Sequence, residues 1–309
     1  INNQVYGVPL TVDGLGLYVN TAMFQQRSLA LPKIWDDVVS SAKTLKEVDP
    51  LTGKLTRAGI ALGNTTNVDH WPDIVSLMLL QSGVKLTDIQ SSASETESVL
   101  SFYTSFASSD PSLRVWDDTM PNSTVAFANE KVAMILAPLW RAPEIKQINP
   151  TLAWKIIPVP QLPSSDTVNW ASIWFEAVPK NSKHSKEAWK FLEYLSSAKA
   201  QQKLFEAAGQ DREFPQAPAN KSLLSVAQAN SYVAPYVDSM ATARSFYTAS
   251  DTRDSATSLN ARLIKYLEDA VNGISRRQDV PATIETLGKG FDQVLSESGL
   301  VTAKPAPSK

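Results

Sequence analysis

The residues best suited to chemistry in this sequence are its tryptophans, of which there are eight in 309 residues. An indole combines a flat apolar face with an N–H at its edge, so it can stack on a sugar ring and also donate a hydrogen bond. Trp35 and Trp189 fall in helical patterns and Trp154 falls in an alternating pattern, which indicates core positions. Three others stand beside turn-like sequence and are candidate ligand contacts: Trp71, Trp140 and Trp170.

The elements that must position these indoles alternate between helices and strands. Apolar periodicity predicts helices over 32–46, from Ser185 to 195, over 259–273 with a stop at Gly273, and over 281–299 with a stop at Gly299. Ser185 is the expected N-cap of the second helix. Short β-like runs cover 4–8, 15–19, 59–62, 132–137, 154–159 and 173–178. This alternation predicts an α/β architecture with a largely parallel sheet, in which loops beyond strand ends form the ligand site.

The composition argues against several classes of function. The net charge is −2 and basic residues are scattered, so nucleic acid is not an expected partner. The sequence has no cysteine and only two histidines, without the spacing of a metal site. Nucleotide-binding and nucleophile motifs are missing as well. We therefore expect no metal, no cofactor and no enzymatic activity.

Five motifs in order resemble the family-1 extracellular solute-binding proteins, the group that includes maltose-binding protein. Residues 5–9 (VYGVP) with 17–20 (LYVN) resemble its first strand pair, and 31–38 (LPKIWDDV) resembles a helix start of that family. Residues 126–134 (AFANEKVAM) with 138–140 (PLW) resemble a third motif, although Asn129 replaces the usual glycine. Residues 177–180 (AVPK) and 187–195 (EAWKFLEYL) complete the series.

This resemblance implies a periplasmic-binding-protein-like, two-lobed fold of type II that closes on its ligand by hinge motion. Family members carry an additional βαβ portion of lobe one before the first motif, so most of lobe one is expected to be missing here. Lobe two is expected over 13–205 and 251–299, the rest of lobe one and the crossover over 1–12 and 206–250, and a disordered tail over 300–309. The resemblance implies an extracytoplasmic bacterial protein that delivers a sugar to an ABC permease. Its peripheral attachment to the membrane would use a lipid anchor outside this sequence.

The resemblance also suggests which residues contact the ligand. Asp13 matches a carboxylate that sugar-binding members use in the cleft, although an aspartate beside Gly14 is also an ordinary turn residue. Asp69 could instead cap the helix expected from Pro72. Trp170 stands where many members carry a glycine-rich loop. The complete expected set is Asp13, Asp69, His70, Trp71, Trp140, Arg141, Trp170, Tyr247 and Asp251.

Two other classes of function stay open from the sequence. A carbohydrate-active enzyme would need two carboxylates about 5 to 9.5 Å apart across a sugar bond, for which Asp13 with Asp69 or Glu176 is the available pair. A structural or protein-interaction module would bind no small molecule. Turnover of aryl glycosides separates the first alternative from a binding protein, and a sugar-binding screen separates the second.

Overall fold

A computed structural model describes residues 5–211, 213–249 and 255–301 of the chain. Its nine strands in this part are β1 Val8–Gly14, β2 Gly16–Asn20, β3 Glu47–Val48, β4 Leu55–Ile60, β5 Val132–Ala137, β6 Trp154–Ile157, β7 Asn169–Glu176, β8 Ala217–Pro218 and β9 Ala243–Arg244. The α-helices are α1 Thr21–Gln26, α2 Trp35–Leu45, α3 Trp71–Gln81, α4 Ala93–Ser105, α5 Ser123–Ala128, α6 Ala142–Ile148, α7 Ser185–Ser196, α8 Ala198–Asp211, α9 Leu224–Gln228, α10 Ala234–Ser239, α11 Leu259–Ser275 and α12 Val280–Glu297.

The larger sheet has the order β3-β4-β5-β2-β6 and lies in the middle of the main core. Every residue of β2 and β5 is buried, as expected for strands that are covered on both faces. Tyr18 on β2 stacks against Trp154 on β6, and Phe127 of α5 meets both rings edge-on. Trp154 is therefore a core residue, as its alternating pattern predicts.

The smaller sheet has the order β8-β1-β7-β9, and β1 connects directly to the larger sheet. Only Leu15 separates the end of β1 from the start of β2. β1 pairs with β7 from Val8↔Glu176 to Gly14↔Ala171, and α7 packs against β1. The end of β1 is thus the place where the two sheets meet.

The expectation of a largely parallel sheet is wrong. Among the strand pairs of the described residues, only β4–β5 and β7–β9 are parallel, and the remaining pairs are antiparallel. A helix between two strands in the sequence forces parallel pairing only when those two strands are also neighbours in the sheet. Here β2 inserts between β5 and β6, which come more than a hundred residues later, so sequence order does not give spatial order.

Several predicted ends of elements are confirmed and others are shifted by tertiary context. α2 carries Asp36 and Asp37 in its first turn, and α12 ends before Gly299, whose φ is +68°. Residues 5–7 are not a strand, because β1 begins at Val8. The N-cap of α7 is His184 rather than Ser185. α11 continues through Gly273 to Ser275.

Gly273 has a packing role in place of the predicted role as a helix stop. A Cβ at this position would lie 3.1 Å from both Gln278 and Thr283, where the chain turns from α11 into α12. A glycine at this point therefore lets the two helices approach closely.

Most of the predicted core is confirmed. Val38, Leu45, Leu263 and Phe291 are buried in the main cluster, whereas Leu192 is buried outside that cluster and Leu195 is half-buried. The helix that carries the last two residues, α7, packs on the smaller sheet, where fewer elements are available to cover it. Trp35 is buried as expected, and Trp189, which was also assigned to the core, is half-buried.

The division of the chain into lobes stays a prediction. Phe214, Ala227 and Tyr236 belong to the same buried cluster as the larger sheet, whereas β8 and β9 pair within the smaller sheet. The segment 206–250 therefore contributes to both regions. Of the expected tail, Val301 packs against the core and residues 302–309 lie outside the described residues.

No helix within the described ranges is long and apolar enough to cross a membrane.

Candidate functional site

The carboxylate of Asp13 anchors the junction between the two sheets. Its Oδ1 accepts hydrogen bonds from the backbone N–H of Gly14 at 2.7 Å and of Leu139 at 3.0 Å, and its Oδ2 accepts from the N–H of Trp140 at 3.4 Å. Asp13 is only 1% exposed. In this structure it therefore positions the chain around Trp140 and does not present a free carboxylate to solvent.

Two buried tyrosines also donate hydrogen bonds to the turn that carries Trp140. The Tyr18 hydroxyl donates to the carbonyl of Pro138 at 2.9 Å, and the Tyr236 hydroxyl donates to the carbonyl of Ala137 at 3.0 Å. Burial, the main cause, raises the pKa of both tyrosines well above the usual range, so both hydroxyls stay protonated donors. The segment that carries Trp140 is thus held by hydrogen bonds to Asp13 and to both tyrosines.

The half-buried Trp140 ring contacts both His70 and Arg141. The imidazole of His70 meets the indole edge-on, with the ring centroids 5.1 Å apart. The guanidinium carbon of Arg141 lies 4.4 Å from the indole centroid, a cation–π arrangement. Arg141 also donates from Nε to His70 Nε2 at 3.0 Å and from Nη1 to Glu144 at 2.7 Å.

His70 stands at the N-terminus of α3 in an unusual backbone conformation. Its φ of 59° is in the left-handed region, which non-glycine residues adopt infrequently. Burial, together with the nearby charge of Arg141, lowers the pKa of His70 to about 4. The imidazole is therefore neutral near pH 7 and can accept the hydrogen bond from Arg141.

A cavity lies between Trp140 and the smaller sheet, and the buried Asp73 is one of the residues that line it. The indole N–H of Trp170 donates to Asp73 Oδ1 at 2.9 Å, and His70 Nδ1 lies 3.8 Å from Asp73 Oδ2. Only about 10 Å³ of the cavity is accessible to the centre of a water molecule, which is room for one water. Its lining includes Gly14, His70, Asp73, Trp140, Trp170 and Ser172.

The cavity brings together some of the predicted residues. Trp140 and His70 line it with Trp170, Arg141 contacts two of them, and Asp13 holds the turn beside it. Trp170 is 1% exposed and lies on β7, not on a loop as its turn-like neighbours suggested. The reason is that β7 begins at Asn169, four residues before the β-like run expected from 173, and directs this indole inward.

Of the other predicted residues, the three that the structure describes lie elsewhere. Trp71 is buried in the main cluster and does not line the cavity. Asp69 accepts hydrogen bonds from the N–H and hydroxyl of Thr124, so it caps α5 and not α3. Tyr247 packs edge-on against Phe246 and is half-exposed. Asp251 lies outside the described residues.

The predicted ligand contacts did not include Asp73, Ser172 and Gly14, which also line the cavity. Asp73 directly follows Pro72, where a helix was expected to start, and Ser172 stands just before the β-like run expected from 173. Gly14 permits the close approach of β1 and β7, because a Cβ there would lie 2.3 Å from the carbonyl oxygen of Trp170. Only the glycine could have been suspected, since it stands between the candidate Asp13 and the next strand.

Within residues 5–211, 213–249 and 255–301, no cluster of His, Asp or Glu side chains is arranged to hold a metal ion.

A comparison with protein families identifies the class of the chain. Residues 1–234 match the model described as "Bacterial extracellular solute-binding protein", which covers more than half of the chain. The protein therefore belongs to the bacterial extracellular solute-binding proteins. This membership confirms the resemblance found in the sequence, although the pairing of the strands is less parallel than expected.

The chain is also similar to one curated protein and to several solved structures. It is 28% identical over 221 residues to the multiple sugar-binding protein of Streptococcus mutans, of which it spans about half the length, 51%. An ABC transporter solute-binding protein of Thermotoga lettingae, bound to α-D-tagatose, matches at TM-score 0.68 and 19% identity, over 94% of this chain and 72% of that one. The GacH receptor of Streptomyces glaucescens, solved unliganded and with acarbose, matches at TM-score 0.70 and 18% identity, over 96% and 73%. At these identities the solved structures support the fold alone.

Proposed function

We propose that this protein binds a sugar or oligosaccharide at the face formed by Trp140, Arg141 and His70. The observation that carries the proposal is the half-buried Trp140 ring, which is held rigidly beside two polar side chains at the junction of two sheets. A flat indole provides the surface on which a sugar ring stacks, and the neighbouring N–H groups can bond to its hydroxyls. The names of the similar proteins, a multiple sugar-binding protein and receptors with tagatose or acarbose, support this ligand class.

The sugar would then pass to the permease of an ABC importer. Family membership and the Thermotoga relative support this partner, and an extracytoplasmic bacterial location agrees with the family description. Peripheral attachment by a lipid anchor outside residues 1–309 is a part of the same proposal.

Closure around the ligand is also part of the proposal. A cavity with about 10 Å³ accessible to a water centre is far smaller than the roughly 300 Å³ or more of typical ligand sites. The ligand would therefore lie over the outer face of Trp140, with a second surface closing on it by hinge motion. This chain matches 72% and 73% of the two solved relatives, so the unmatched part of such a fold is a candidate for that surface.

Binding without turnover is the reaction class that we propose. Asp13, the first carboxylate that the enzyme alternative requires, is engaged by three backbone N–H groups. Asp69, one of its two possible partners, is engaged in capping α5. The relatives named above are binding proteins or receptors, which supports the same view.

The direct test is calorimetric titration with tagatose, acarbose and maltotetraose. We expect saturable binding of at least one sugar, and Trp140→Ala should weaken it by about 1 to 3 kcal/mol, the scale of a lost aromatic contact. Trp189→Ala is the matched control, because Trp189 is also half-buried but lies on α7 outside the cavity. Equal losses in the two variants would contradict the assignment of the site. Release of reducing ends during the titration would point to an enzyme.

A further inference from the structure

His70 lines the cavity together with Trp140 and Asp73 and lies close to both. Its side chain is 6% exposed, and it is the N-cap residue of α3. It contacts Trp140 through its ring edge and Arg141 through Nε2. Any change in the state of this imidazole therefore affects both of the other residues of the proposed binding face.

The hydrogen bond from Arg141 determines which nitrogen of His70 carries the proton. The guanidinium Nε–H of arginine only donates, so His70 Nε2 at 3.0 Å must be the unprotonated acceptor. A neutral imidazole then carries its proton on Nδ1. Nδ1 is the nitrogen that lies 3.8 Å from the carboxylate of Asp73, where a positive N–H edge is electrostatically favoured.

Asp73 is itself held in place by the smaller sheet. Its Oδ1 accepts from the Trp170 indole, and its side chain is 7% exposed. Contacts therefore run from Trp170 through Asp73 and His70 to Arg141, which lies over the Trp140 ring. The chain of contacts crosses from β7 to the turn after β5.

We propose that neutral His70, oriented by Asp73, is a positioning residue that holds the Arg141 guanidinium against Trp140 and so preorganises the ligand face. The expected effect on ligand affinity rests on the proposed function. The hydrogen bond from Arg141 to His70, which we call the anchor, is a property of the free protein. Without the acceptor on His70, the charged partner that Arg141 retains among the described residues is Glu144, on its own helical turn. The guanidinium would then leave the indole for part of the time, which costs affinity through lost preorganisation.

The charged groups around His70 set the pH range of this anchor. Arg141 faces Nε2 and disfavours a second proton, whereas Asp69 and Asp73 favour it. Because burial and Arg141 lower the pKa of His70 to about 4, the anchor is intact at neutral pH. It is lost only when acid protonates Nε2, which then can no longer accept from Arg141.

The first test uses nitrogen-15 NMR of the free protein. The Arg141 Nε–H signal, assigned by its loss in Arg141→Lys, should exchange slowly with solvent, and His70 should show the Nδ1–H tautomer. His70→Leu should make the Arg141 signal exchange rapidly, whereas His70→Gln, which offers a side-chain oxygen as the acceptor, should restore protection. Both variants bear the same left-handed backbone cost, so they differ mainly in the acceptor. An Arg141 signal that is unchanged by His70→Leu, or an Nε2–H tautomer, would overturn the proposal.

The second test measures the affinity for whichever of tagatose, acarbose or maltotetraose the wild-type protein binds. His70→Leu should weaken binding about tenfold, the scale of one charge-assisted hydrogen bond, and His70→Gln should recover most of the loss. In an Arg141→Met background, His70→Leu should have no further effect, because His70 acts through Arg141. Additive losses would overturn the positioning role. If none of the sugars binds to wild type, the proposed function fails, whereas the NMR result still decides whether the anchor exists.

Discussion

The two sheets of this molecule bury their apolar side chains to very different extents. Every side chain of β2 and β5 in the larger sheet is buried between helices. In the smaller sheet, Trp174 is 51% and Phe175 is 61% exposed, and among the described residues no strand pairs with the outer edge of β7 beyond Trp170. Other large apolar side chains with high exposure lie on β7 itself, on the segment before β1 and on α7 and α8: Val5, Tyr6, Ile173, Phe191, Tyr194 and Leu204.

The difference shows that the larger sheet is a self-sufficient core and that the smaller sheet is not. Large exposed apolar side chains that form a patch mark an interaction site or an aggregation hazard. An open strand edge adds unpaired backbone donors and acceptors that favour pairing with another strand. The candidate ligand site lies where the two regions meet, so its geometry depends on both.

The largest expected effect is a difference in stability between two variants, each of which removes a phenylalanine from one of the two regions. Phe127→Ala should lower the free energy of unfolding by about 3 to 5 kcal/mol, because Phe127 is fully buried between Tyr18 and Trp154. Phe175→Ala should cost less than about 1 kcal/mol, because most of that ring is already exposed. Urea unfolding of the two variants measures both values. Similar losses would mean that the smaller sheet is covered in solution.

The second effect concerns the junction and depends on pH. The pKa of His70 is about 4 in the folded protein, below its ordinary value of about 6.5, so the unfolded chain binds more protons between these values. The contribution of His70 to stability is therefore complete above about pH 6.5 and is lost as the pH falls toward 4, by roughly 3 kcal/mol in total.

Urea unfolding of wild type and His70→Gln at a series of pH values tests this prediction. The difference in unfolding free energy between the two proteins should change over this range, because glutamine does not titrate. A constant difference from pH 7 to pH 4 would show that His70 is solvated in the folded protein.

A third, smaller effect is expected at Asp13. Removing its carboxylate in Asp13→Ala leaves buried N–H groups of the Leu139 turn without an acceptor, and stability should fall by about 2 kcal/mol. Asp37→Ala is the control, because Asp37 also accepts two backbone N–H bonds but is exposed, and it should cost about 1 kcal/mol or less. Equal losses of stability in the two variants would show that water can replace the lost acceptor at the junction.

The smallest effect on stability is expected from a charge on the exposed face. Phe175→Glu should change the free energy of unfolding by less than about 0.5 kcal/mol, because a surface substitution leaves the core intact. The same variant should reduce bis-ANS fluorescence and self-association measured by light scattering. Strong destabilisation by Phe175→Glu would contradict the exposure of this face.

The sequence by itself determined the local elements and the class of the protein. Caps and periodicity located α2 and α12 because a helix end depends on residues within one turn, such as Asp37 and Gly299. Motif order indicated the solute-binding family, and the turn-like sequence beside Trp140 pointed to that residue. Only the tertiary structure decided which strands pair and where each carboxylate is directed.

These outcomes depend on contacts between residues far apart in the chain. Asp13 meets Leu139 across 126 positions, and Trp170 meets Asp73 across 97. A local pattern has the same appearance whether such a partner exists or not, so Asp13 could be read as a free cleft carboxylate. The folded chain surrounds it with backbone N–H groups and makes it the support for the turn that carries Trp140.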